Sequence, residues 1–526
     1  MWKQVLALSG DRWVRFTANY VPDYGIIWAV VLDVACLAVL IFALMIVRGA
    51  SKSYTKAAAN TLLALFCAVA LYEPVGIIAA ALTFHRLRFL IFTIVATLAG
   101  IALLSLAVMA TKRTIRDLRR AFLIFAPIFP LLLFNCLYQS YSARRHWAGN
   151  GMAAGMLPSK SRERLIWVIF DELDRRMLYN ARPQRVQLPE FDRLQRESLD
   201  ALAVNSPAMN TSVSIPSLLL EKNIDCVEAS AKGGLLIKER DSTRLVPFDS
   251  QEDVFEKARA AGFNTGVSGW YFPYCRMVGH TVSECAWALG GFELGFVHTA
   301  LTGRPIYQQG WYLAKWQLNV LPHLTRPLSE KPEQDQIFRQ GNIHTLQIVL
   351  QNALRMLEDH NLNLVFIHLP IPHPPGIWDP TKGAFTTANA NYLDNLELAD
   401  KVLGQIRHTL EDVGDWERST ILISSDHPFR SEAWTGPSGR FEDSEMNRVS
   451  REEWFPFIPF LLNLPYQHQH VTYKGSFNSV LTGDLVLSIL KRQLTKPEDV
   501  VNWLNTNGKA LSAGAEPKNS SLVCGE

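Results

Sequence analysis

The sequence predicts an α/β protein in which N-terminal transmembrane helices are followed by an α/β/α sandwich with a mostly parallel central sheet. Apolar stretches dominate the 526 residues up to about residue 140, and the remainder has the composition of a soluble protein. Beyond residue 165, short apolar runs alternate with amphipathic stretches, as strands and helices do in parallel sheets. We therefore predict a transmembrane domain (1–145), a linker (146–164), an outer α/β domain (165–504) and a disordered tail (505–526).

Four apolar stretches, at residues 25–47, 59–82, 89–110 and 121–137, have the length that a bilayer-spanning helix needs. Basic residues lie between the first and second stretches and between the third and fourth. Because cytoplasmic loops are rich in Lys and Arg, both loops are expected on the cytoplasmic side. Everything after the fourth stretch is then expected outside the cytoplasm. The formal net charge of +3 does not favour nucleic acid as a partner.

The outer domain alternates predicted strands and helices. Strands are predicted at residues 165–170, 264–267, 362–368 and 420–425, and helices at 254–261 and 391–410. Ligands of such sheets bind at the carboxyl ends of the strands. Asp171, His368 and Asp426 each stand at such an end, so we expect three strands to bring them to one edge. The segment 286–335, rich in Gly, Trp and Pro, is interpreted as an insertion over this edge.

Metal-ligating side chains directly follow two of these strands. Asp171 and Glu172 come after strand 165–170, and Asp426 and His427 come after strand 420–425. Carboxylates with one imidazole suit a divalent cation, and the imidazole favours zinc or manganese over calcium or magnesium. Taken singly, the first pair is more often a helix cap or surface pair, and the second a polar turn. Their predicted position at one edge favours a metal site, with Glu172 as an additional ligand.

Hydroxyl groups near the predicted start of a helix are candidates for a nucleophile. Pro216 and the leucines after it predict a helix that begins near residues 214–216, close to Thr211 and Ser214. Such hydroxyls usually cap the helix. The helix dipole and the backbone N–H groups also favour an anionic oxygen there, and a nearby cation lowers the pKa of a hydroxyl. Thr211 is therefore a candidate both for the nucleophile and for a ligand of the cation.

Two histidines flank a proline-rich loop. His368 and His373 have two prolines between them, and two more follow. Proline stiffens the loop, and rigidly held imidazoles suit a second metal ion, a phosphate oxygen or proton donation to a leaving group. A purely structural role is the alternative for either histidine taken alone.

Two of the seven cysteines, Cys275 and Cys285, lie ten residues apart in the outer domain. An extracytoplasmic compartment permits a disulfide between them. The sequence contains no CxxC spacing of the zinc-binding type.

In these segments the chain resembles the membrane-anchored, sulfatase-like branch of the alkaline-phosphatase superfamily, which includes phosphoethanolamine and phosphoglycerol transferases. The resemblance covers roughly residues 165–504 and implies an alkaline-phosphatase-like sandwich in a bacterial inner-membrane protein. It places the metal ligands and the nucleophile of the family on Asp171, Thr211, Asp426 and His427. It places residues near the transferred group at His368, His373 and Asn395.

The chain departs from the family pattern in three places. Sulfatases carry an Arg four residues after the Cys or Ser that becomes formylglycine, whereas Leu218 stands four residues after Ser214. Pro428 replaces the Gly that often follows the Asp-His pair. No His occurs between His427 and His468, where transferases often have another. These departures disfavour formylglycine chemistry and a second metal ion.

The sequence thus predicts a metal-dependent transferase or hydrolase that acts on phosphodiesters through a threonine nucleophile, at the outer face of the cytoplasmic membrane. Ser214, and Arg276 in an aromatic-rich segment, are candidates for binding the substrate. The expected partners are the bilayer and a membrane lipid or an envelope glycan. A sulfuric ester hydrolase is one alternative, and a catalytically degenerate binding or assembly protein is another.

Overall fold

The computed structural model describes residues 153–158, 162–230, 234–288, 305–311, 331–388, 390–430, 434, 457–512 and 524, and positions 16, 28–29, 31–33, 36, 39–40 and 43. Among these residues, no helix combines the length and the apolar character needed to cross a membrane. The apolar stretches at 59–82, 89–110 and 121–137 lie outside the described residues, as does most of 25–47.

The chain divides into two compact units. The first comprises Met1–Val5, Pro22–Tyr141 and Gly303–Leu321, and the second comprises Leu6–Val21, Ser142–Thr302 and Pro322–Glu526. The elements described below belong to the second unit.

The strands form one large sheet and two small ones. They are β1 (Leu165–Phe170), β2 (Leu199–Asn205), β3 (Ile224–Ala229), β4 (Leu235–Glu239), β5 (Val246–Pro247), β6 (Thr265–Trp270), β7 (Glu284–Ala288), β8 (Leu364–Leu369), β9 (Trp378–Asp379), β10 (Ala384–Phe385), β11 (Thr420–Ser424), β12 (Phe457–Ile458), β13 (Phe460–Asn463) and β14 (Val471–Asn478). The large sheet has the order β12–β2–β13–β11–β1–β8–β6–β7, and β14 also pairs with β2. Strands β11, β1, β8, β6 and β7 are parallel neighbours, and β13 is antiparallel to β11.

Helices connect these strands and cover the sheet. They are α1 (Pro189–Glu197), α2 (Thr211–Leu220), α3 (Val254–Ala260), α4 (Tyr274–Met277), α5 (Lys331–Glu358), α6 (Tyr392–Asp412), α7 (Thr482–Leu490) and α8 (Pro497–Ser512). Short helical turns lie at Arg176–Asn180, Phe248–Ser250 and Ser479–Leu481.

Strand β1 shows how the apolar sequence fixes its central position. All six of its residues are buried. Alternate side chains point to opposite faces of a strand, so a strand buried on both faces is apolar throughout. Leu165, Trp167 and Ile169 join one core cluster. Ile166, Val168 and Phe170 join the other. The mixed α/β fold and its mostly parallel sheet, buried on both faces, are therefore as the sequence predicts.

Two boundaries differ from the sequence prediction. Helix α2 begins at Thr211, three residues before the predicted start, because Asn210 is its cap and accepts a hydrogen bond from the Val213 N–H. Helix α8 continues to Ser512, beyond the position where the tail was predicted to begin. A disulfide between Cys226 and Cys524, which the sequence did not predict, ties this end of the chain to β3. Most of the segment 286–335 lies outside the described residues.

Candidate active site

Three adjacent strands bring the predicted ligands to one edge of the sheet. Asp171 directly follows β1, and Asp426 and His427 follow β11, its parallel neighbour. On the other side of β1, His368 in β8 lies opposite Ile169. Because parallel strands end at a common edge, ligands that are 255 positions apart in sequence (171 to 426) become neighbours.

Asp171, Asp426 and His427 form a group that can hold a metal ion, since one ligand atom from each lies within 4.8 Å of the others. The Nε2 atom of His427 lies 3.5 Å from Asp171 Oδ1 and 3.4 Å from Asp426 Oδ2. All three side chains are fully buried. This arrangement concentrates two carboxylates and one imidazole where water cannot solvate them.

The tautomer of His427 fits a metal ligand. Its Nδ1 lies 3.0 Å from the Pro428 carbonyl oxygen, which can only accept a hydrogen bond. The proton of the neutral ring therefore sits on Nδ1, and the lone pair of Nε2 faces the two carboxylates. Metal-binding histidines are commonly oriented by such a hydrogen bond from the other ring nitrogen.

Unpartnered polar atoms at the group also fit a cation. Among the described residues, Asp171 Oδ1, Asp426 Oδ2 and His368 Nε2 are buried without a hydrogen-bond partner. Burial, followed by the nearby charge of Asp426, raises the pKa of Asp171, and burial likewise raises the pKa of Asp426. Buried polar atoms are normally satisfied, and buried carboxylates are paired or bind metals. A divalent cation would satisfy these oxygens and offset their repulsion.

Thr211 places its hydroxyl against this group. Its Oγ1 lies 3.2 Å from Asp171 Oδ2 and 3.3 Å from His427 Nε2. As the first residue of α2, it lies at the end of the helix where backbone N–H groups and the dipole favour negative charge. The four residues that the sequence placed around one cation thus lie together.

His368 borders the group and is held by a tyrosine. Its Nε2 lies 3.5 Å from Asp171 Oδ2, and its Nδ1 lies 2.8 Å from the hydroxyl of Tyr274. Burial lowers the pKa of His368 to about 4, so the ring is neutral near pH 7. Gly269 lies opposite His368 in β6, and a Cβ there would lie 2.4 Å from the Tyr274 ring. The missing side chain makes room for this ring.

His373 and Asn395 belong to one loop assembly. The His373 N–H donates to the Asp171 carbonyl at 3.1 Å, and its Nδ1 lies 2.7 Å from the Pro374 carbonyl. Burial lowers the pKa of His373. The Asn395 amide donates to the carbonyls of Pro372, His373 and Pro375 and accepts from the Ile377 N–H. Asn395 therefore fixes the proline-rich loop.

Glu172 does not join the three ligands. Its backbone is left-handed, with φ of 67°, and its carboxylate accepts hydrogen bonds from Arg430 and from the indole N–H of Trp434. Burial raises the pKa of Glu172 to about 8, against the opposing charge of Arg430. The left-handed turn directs successive carboxylates to different partners.

The remaining predicted residues have other contacts. The Ser214 hydroxyl donates to the Ala208 carbonyl at 3.1 Å. Arg276 donates to the Phe16 carbonyl, and its guanidinium lies 5.3 Å from the centre of the Trp287 ring. A disulfide joins Cys275 to Cys285, the pair proposed from the sequence.

Sequence reasoning missed Tyr274 and Arg430. Tyr274 lies in the same aromatic-rich segment as Arg276, but the local sequence does not single out its contact with His368. Arg430 lies three residues after His427, and a basic residue so close to a metal pair was a usable signal.

No protein-family model and no curated protein matches the chain. Similar solved structures include a sulfatase from Pseudoalteromonas sp., at TM-score 0.41 and 12% identity, with 64% of this chain and 70% of that chain covered. A phosphonate monoester hydrolase of Agrobacterium radiobacter matches at TM-score 0.35 and 13% identity, over 62% and 74%. A protein in the alkaline phosphatase superfamily from Vibrio parahaemolyticus matches at TM-score 0.34 and 11% identity, over 65% and 68%. Scores at this level carry no inference about activity.

Proposed function

We propose that this chain is a metal-dependent enzyme that transfers or hydrolyses a phospho-group through Thr211. One observation carries the proposal: the Thr211 hydroxyl lies within 3.3 Å of both Asp171 and His427, at the start of a helix. A hydroxyl nucleophile, buried ligands with unpartnered oxygens and a helix N-terminus are what an attack on a phosphodiester requires.

A divalent cation held at this site would supply Lewis-acid chemistry, which polarises a phosphoryl oxygen and lowers the pKa of a neighbouring hydroxyl. Asp171, Asp426 and His427 would hold it, and zinc or manganese is favoured because one ligand is an imidazole. The Thr211 Oγ1 attacks phosphorus, so an Oγ1–P bond forms as the bond from phosphorus to the donor oxygen breaks. The proton that Thr211 loses is gained by that oxygen, and the donor leaves as an alcohol with the phospho-group on Thr211. An acceptor hydroxyl or water then takes the group and releases Thr211.

The histidines orient the reacting groups and move protons. His373 donates a hydrogen bond from Nδ1–H to the Pro374 carbonyl oxygen, so Nε2 of the neutral ring is an acceptor. Its lowered pKa keeps this nitrogen unprotonated near pH 7. His373 is therefore better suited to take a proton from the acceptor hydroxyl or water than to give one to the leaving group.

We further propose that the enzyme acts at the outer face of the bacterial cytoplasmic membrane, on a membrane lipid or an envelope glycan. The four apolar stretches before residue 138 and the basic residues between them support this location. A membrane anchor favours a lipid donor, so we rank transfer above hydrolysis of a soluble substrate.

A sulfuric ester hydrolase is the second candidate, because a sulfate group has the same tetrahedral oxygens for the same ligands to bind. The hydroxyl of Ser214 donates to the Ala208 carbonyl, so Thr211 remains the nucleophile under this alternative as well. Paired assays with phosphodiester and sulfate-ester substrates, with and without a hydroxyl acceptor, distinguish transfer, phosphate hydrolysis and sulfate hydrolysis.

Replacement of Thr211 tests the proposal directly. Thr211→Ala should reduce turnover by at least about a thousandfold, because it removes the nucleophile, while the protein still binds its metal. Mass spectrometry of the wild-type protein, quenched during turnover, should find the transferred group on Thr211. Ser217→Ala is the matched control, since its hydroxyl lies in the same helix and donates to the Val213 carbonyl.

Three outcomes would count against this assignment. Activity that survives in Thr211→Ala and disappears in Ser214→Ala moves the nucleophile to Ser214. Full activity after removal of metal by a chelator contradicts the metal-dependent mechanism. A purified protein that binds neither zinc nor manganese at saturating concentrations favours a catalytically degenerate binding protein.

A further inference from the structure

Glu172 and Arg430 form a partly buried ion pair beside the candidate metal ligands. The Glu172 Oε1 atom accepts hydrogen bonds from the backbone N–H of Arg430 at 3.1 Å and from its Nε at 2.9 Å. Trp434 donates to the other carboxylate oxygen at 3.3 Å. Three hydrogen bonds therefore fix the Glu172 carboxylate, and through it the guanidinium of Arg430.

Within the part of the chain that the structure describes, no residue accepts a hydrogen bond from the outer end of the guanidinium. Among the described residues, its two terminal amino groups donate to no protein partner, since both bonds to Glu172 use the backbone N–H and Nε. The side chain of Arg430 is 23% exposed, whereas that of Glu172 is fully buried. A guanidinium held along one edge, with its two terminal amino groups open, has the geometry that binds an oxyanion through two hydrogen bonds.

Arg430 is tied to the metal ligands through Glu172. Glu172 directly follows Asp171, and its backbone N–H donates to Asp426 Oδ1 at 3.2 Å, while its carboxylate accepts from Arg430. The chain connection explains this proximity, because Arg430 lies three residues after His427 on the loop that leaves β11.

We propose that Arg430, aligned by Glu172, is a substrate-binding residue that holds the non-bridging oxygens of the phosphate or sulfate group attacked by Thr211. The inference rests on the proposed function, because it assigns a role in the same site. It also accounts for two observations. The Glu172 carboxylate points away from the metal ligands because it orients Arg430. The second observation is that no further histidine occurs before His468, and Arg430 provides a fixed positive charge beside the site.

Anion binding by the full-length, metal-loaded protein tests this role. Equilibrium dialysis would measure the dissociation constants of inorganic phosphate and, in a separate arm, inorganic sulfate. Arg430→Gln should weaken binding at least about tenfold, because it removes a charge-assisted pair of hydrogen bonds. Arg430→Lys should recover part of the affinity, since lysine keeps the positive charge but lacks the planar group that donates two parallel hydrogen bonds. The arm with the larger loss identifies the preferred ester.

Arg182→Gln is the matched control. Arg182 also pairs with a carboxylate, that of Asp192, and its side chain is 22% exposed. Its replacement should leave the anion affinity unchanged. Metal content and melting temperature, measured for each variant, separate a lost anion contact from a lost fold. If Arg430→Gln does not fold, Arg430→Lys and Glu172→Gln decide the question, and each should weaken anion binding several-fold.

The outcomes separate this inference from the proposed function. Unchanged anion affinity in an Arg430→Gln protein that keeps its metal would overturn the inference. It would show that the ion pair between Glu172 and Arg430 only stabilises the loop after β11. Covalent labelling of Thr211 together with that result leaves the proposed function standing. Anion binding that depends on Arg430 in a protein without esterase or transferase activity supports the contact between Arg430 and the anion and contradicts the proposed reaction.

Discussion

At the scale of single residues, the site places charged groups where burial makes their ionised forms energetically unfavourable unless a cation is bound. Asp171 and Asp426 are fully buried, and each has a carboxylate oxygen without a partner among the described residues. Desolvating one unpaired carboxylate is expensive, and placing two side by side adds repulsion. The neutral His427, with its lone pair turned towards both, adds no positive charge. These residues make physical sense together when a cation is bound.

Tyr274 is expected to be a positioning residue for His368. Tyr274→Phe removes the hydroxyl that contacts Nδ1 of His368, and outer-sphere contacts of this kind are worth about 10- to 100-fold in activity or metal affinity. We predict a loss of about tenfold in kcat and in metal affinity, with a melting temperature near that of the wild type. Gly269→Ala should act more strongly, because its Cβ would displace the Tyr274 ring.

A tyrosine remote from the site in the fold provides the control. Tyr473 lies in β14, and its hydroxyl contacts the side chain of Asn505 at 3.4 Å. Tyr473→Phe should keep full activity and metal affinity. If Tyr274→Phe also keeps both, its hydroxyl has no positioning role.

Sequence reasoning placed Asp171, Thr211, Asp426 and His427 together because three of them follow apolar strands. It could not place Glu172, since adjacent residues share a loop and only the left-handed φ of 67° sets the direction of its carboxylate. A contact such as that between Tyr274 and His368 depends on the pairing of β6 with β8. A side-chain contact across 94 positions that depends on such pairing leaves no local signal in the sequence.

At the scale of elements, helix α2 has the candidate nucleophile at its start and a buried acid, Glu221, at its end. Thr211 begins the helix, and Glu221 follows its last residue with a left-handed φ of 57°. Lys257 contacts the Glu221 carboxylate, whose side chain is only 6% exposed. Burial is the largest effect, and together with the neighbouring Asp484 it raises the pKa of Glu221 to about 7.

This raised pKa predicts how stability depends on pH. An unfolded Glu titrates near 4.5, so between about pH 4.5 and 7 the folded protein holds a proton at Glu221 that the unfolded chain has lost. Stability therefore falls as the pH rises through this window. Glu221→Gln keeps the shape of the side chain and removes the charge. We expect its melting temperature to exceed that of the wild type by about 2–4 °C at pH 8, with little difference at pH 4.5.

The control for this comparison is Glu239→Gln. Glu239 also pairs with a lysine, Lys222, but its side chain is 40% exposed. The difference in melting temperature between Glu239→Gln and the wild type should not change with pH. If the difference between Glu221→Gln and the wild type also stays constant from about pH 4.5 to 8, the assignment is refuted.

The elements that the sequence predicted best are those with the most uniform burial. β1 and β11 are entirely apolar or buried, so their limits are visible as apolar runs. The sequence did not identify β2, β13 or β14, which form the antiparallel and mixed side of the sheet. Strand β14 alternates exposed and buried residues and contains an irregular pairing with β2, which blurs its pattern. Local sequence predicts the centre of this sheet better than its border.

At the scale of the whole molecule, two disulfides constrain the second unit. One closes a short loop between Cys275 and Cys285, next to Tyr274, and the other joins Cys226 to Cys524 across 298 positions. Disulfides persist in oxidising compartments and are rare in the cytosol of mesophiles. The proposed location of this part of the chain outside the cytoplasm is consistent with both bonds.

The thiols of the isolated protein therefore provide a test of the proposed location. Alkylation under denaturing, non-reducing conditions should leave Cys226, Cys275, Cys285 and Cys524 unmodified and should modify Cys36, which is a free thiol. Peptide mapping should recover the two linked pairs. Expression of the full chain in a host that cannot form disulfides should lower the stability of its second unit by about 2–4 kcal/mol for each lost bond.

Cys36 is the internal control, because the same experiment must label it whatever the compartment. A topology reporter fused after residue 526 should be active only outside the cytoplasm, and one fused in the basic segment near residue 115 only inside it. Full alkylation of all four paired cysteines, together with a cytoplasmic carboxyl end, would place the candidate site on the wrong side of the membrane for an envelope substrate. In that case the chemistry of Thr211 could stand, but a lipid or glycan acceptor at the outer face could not.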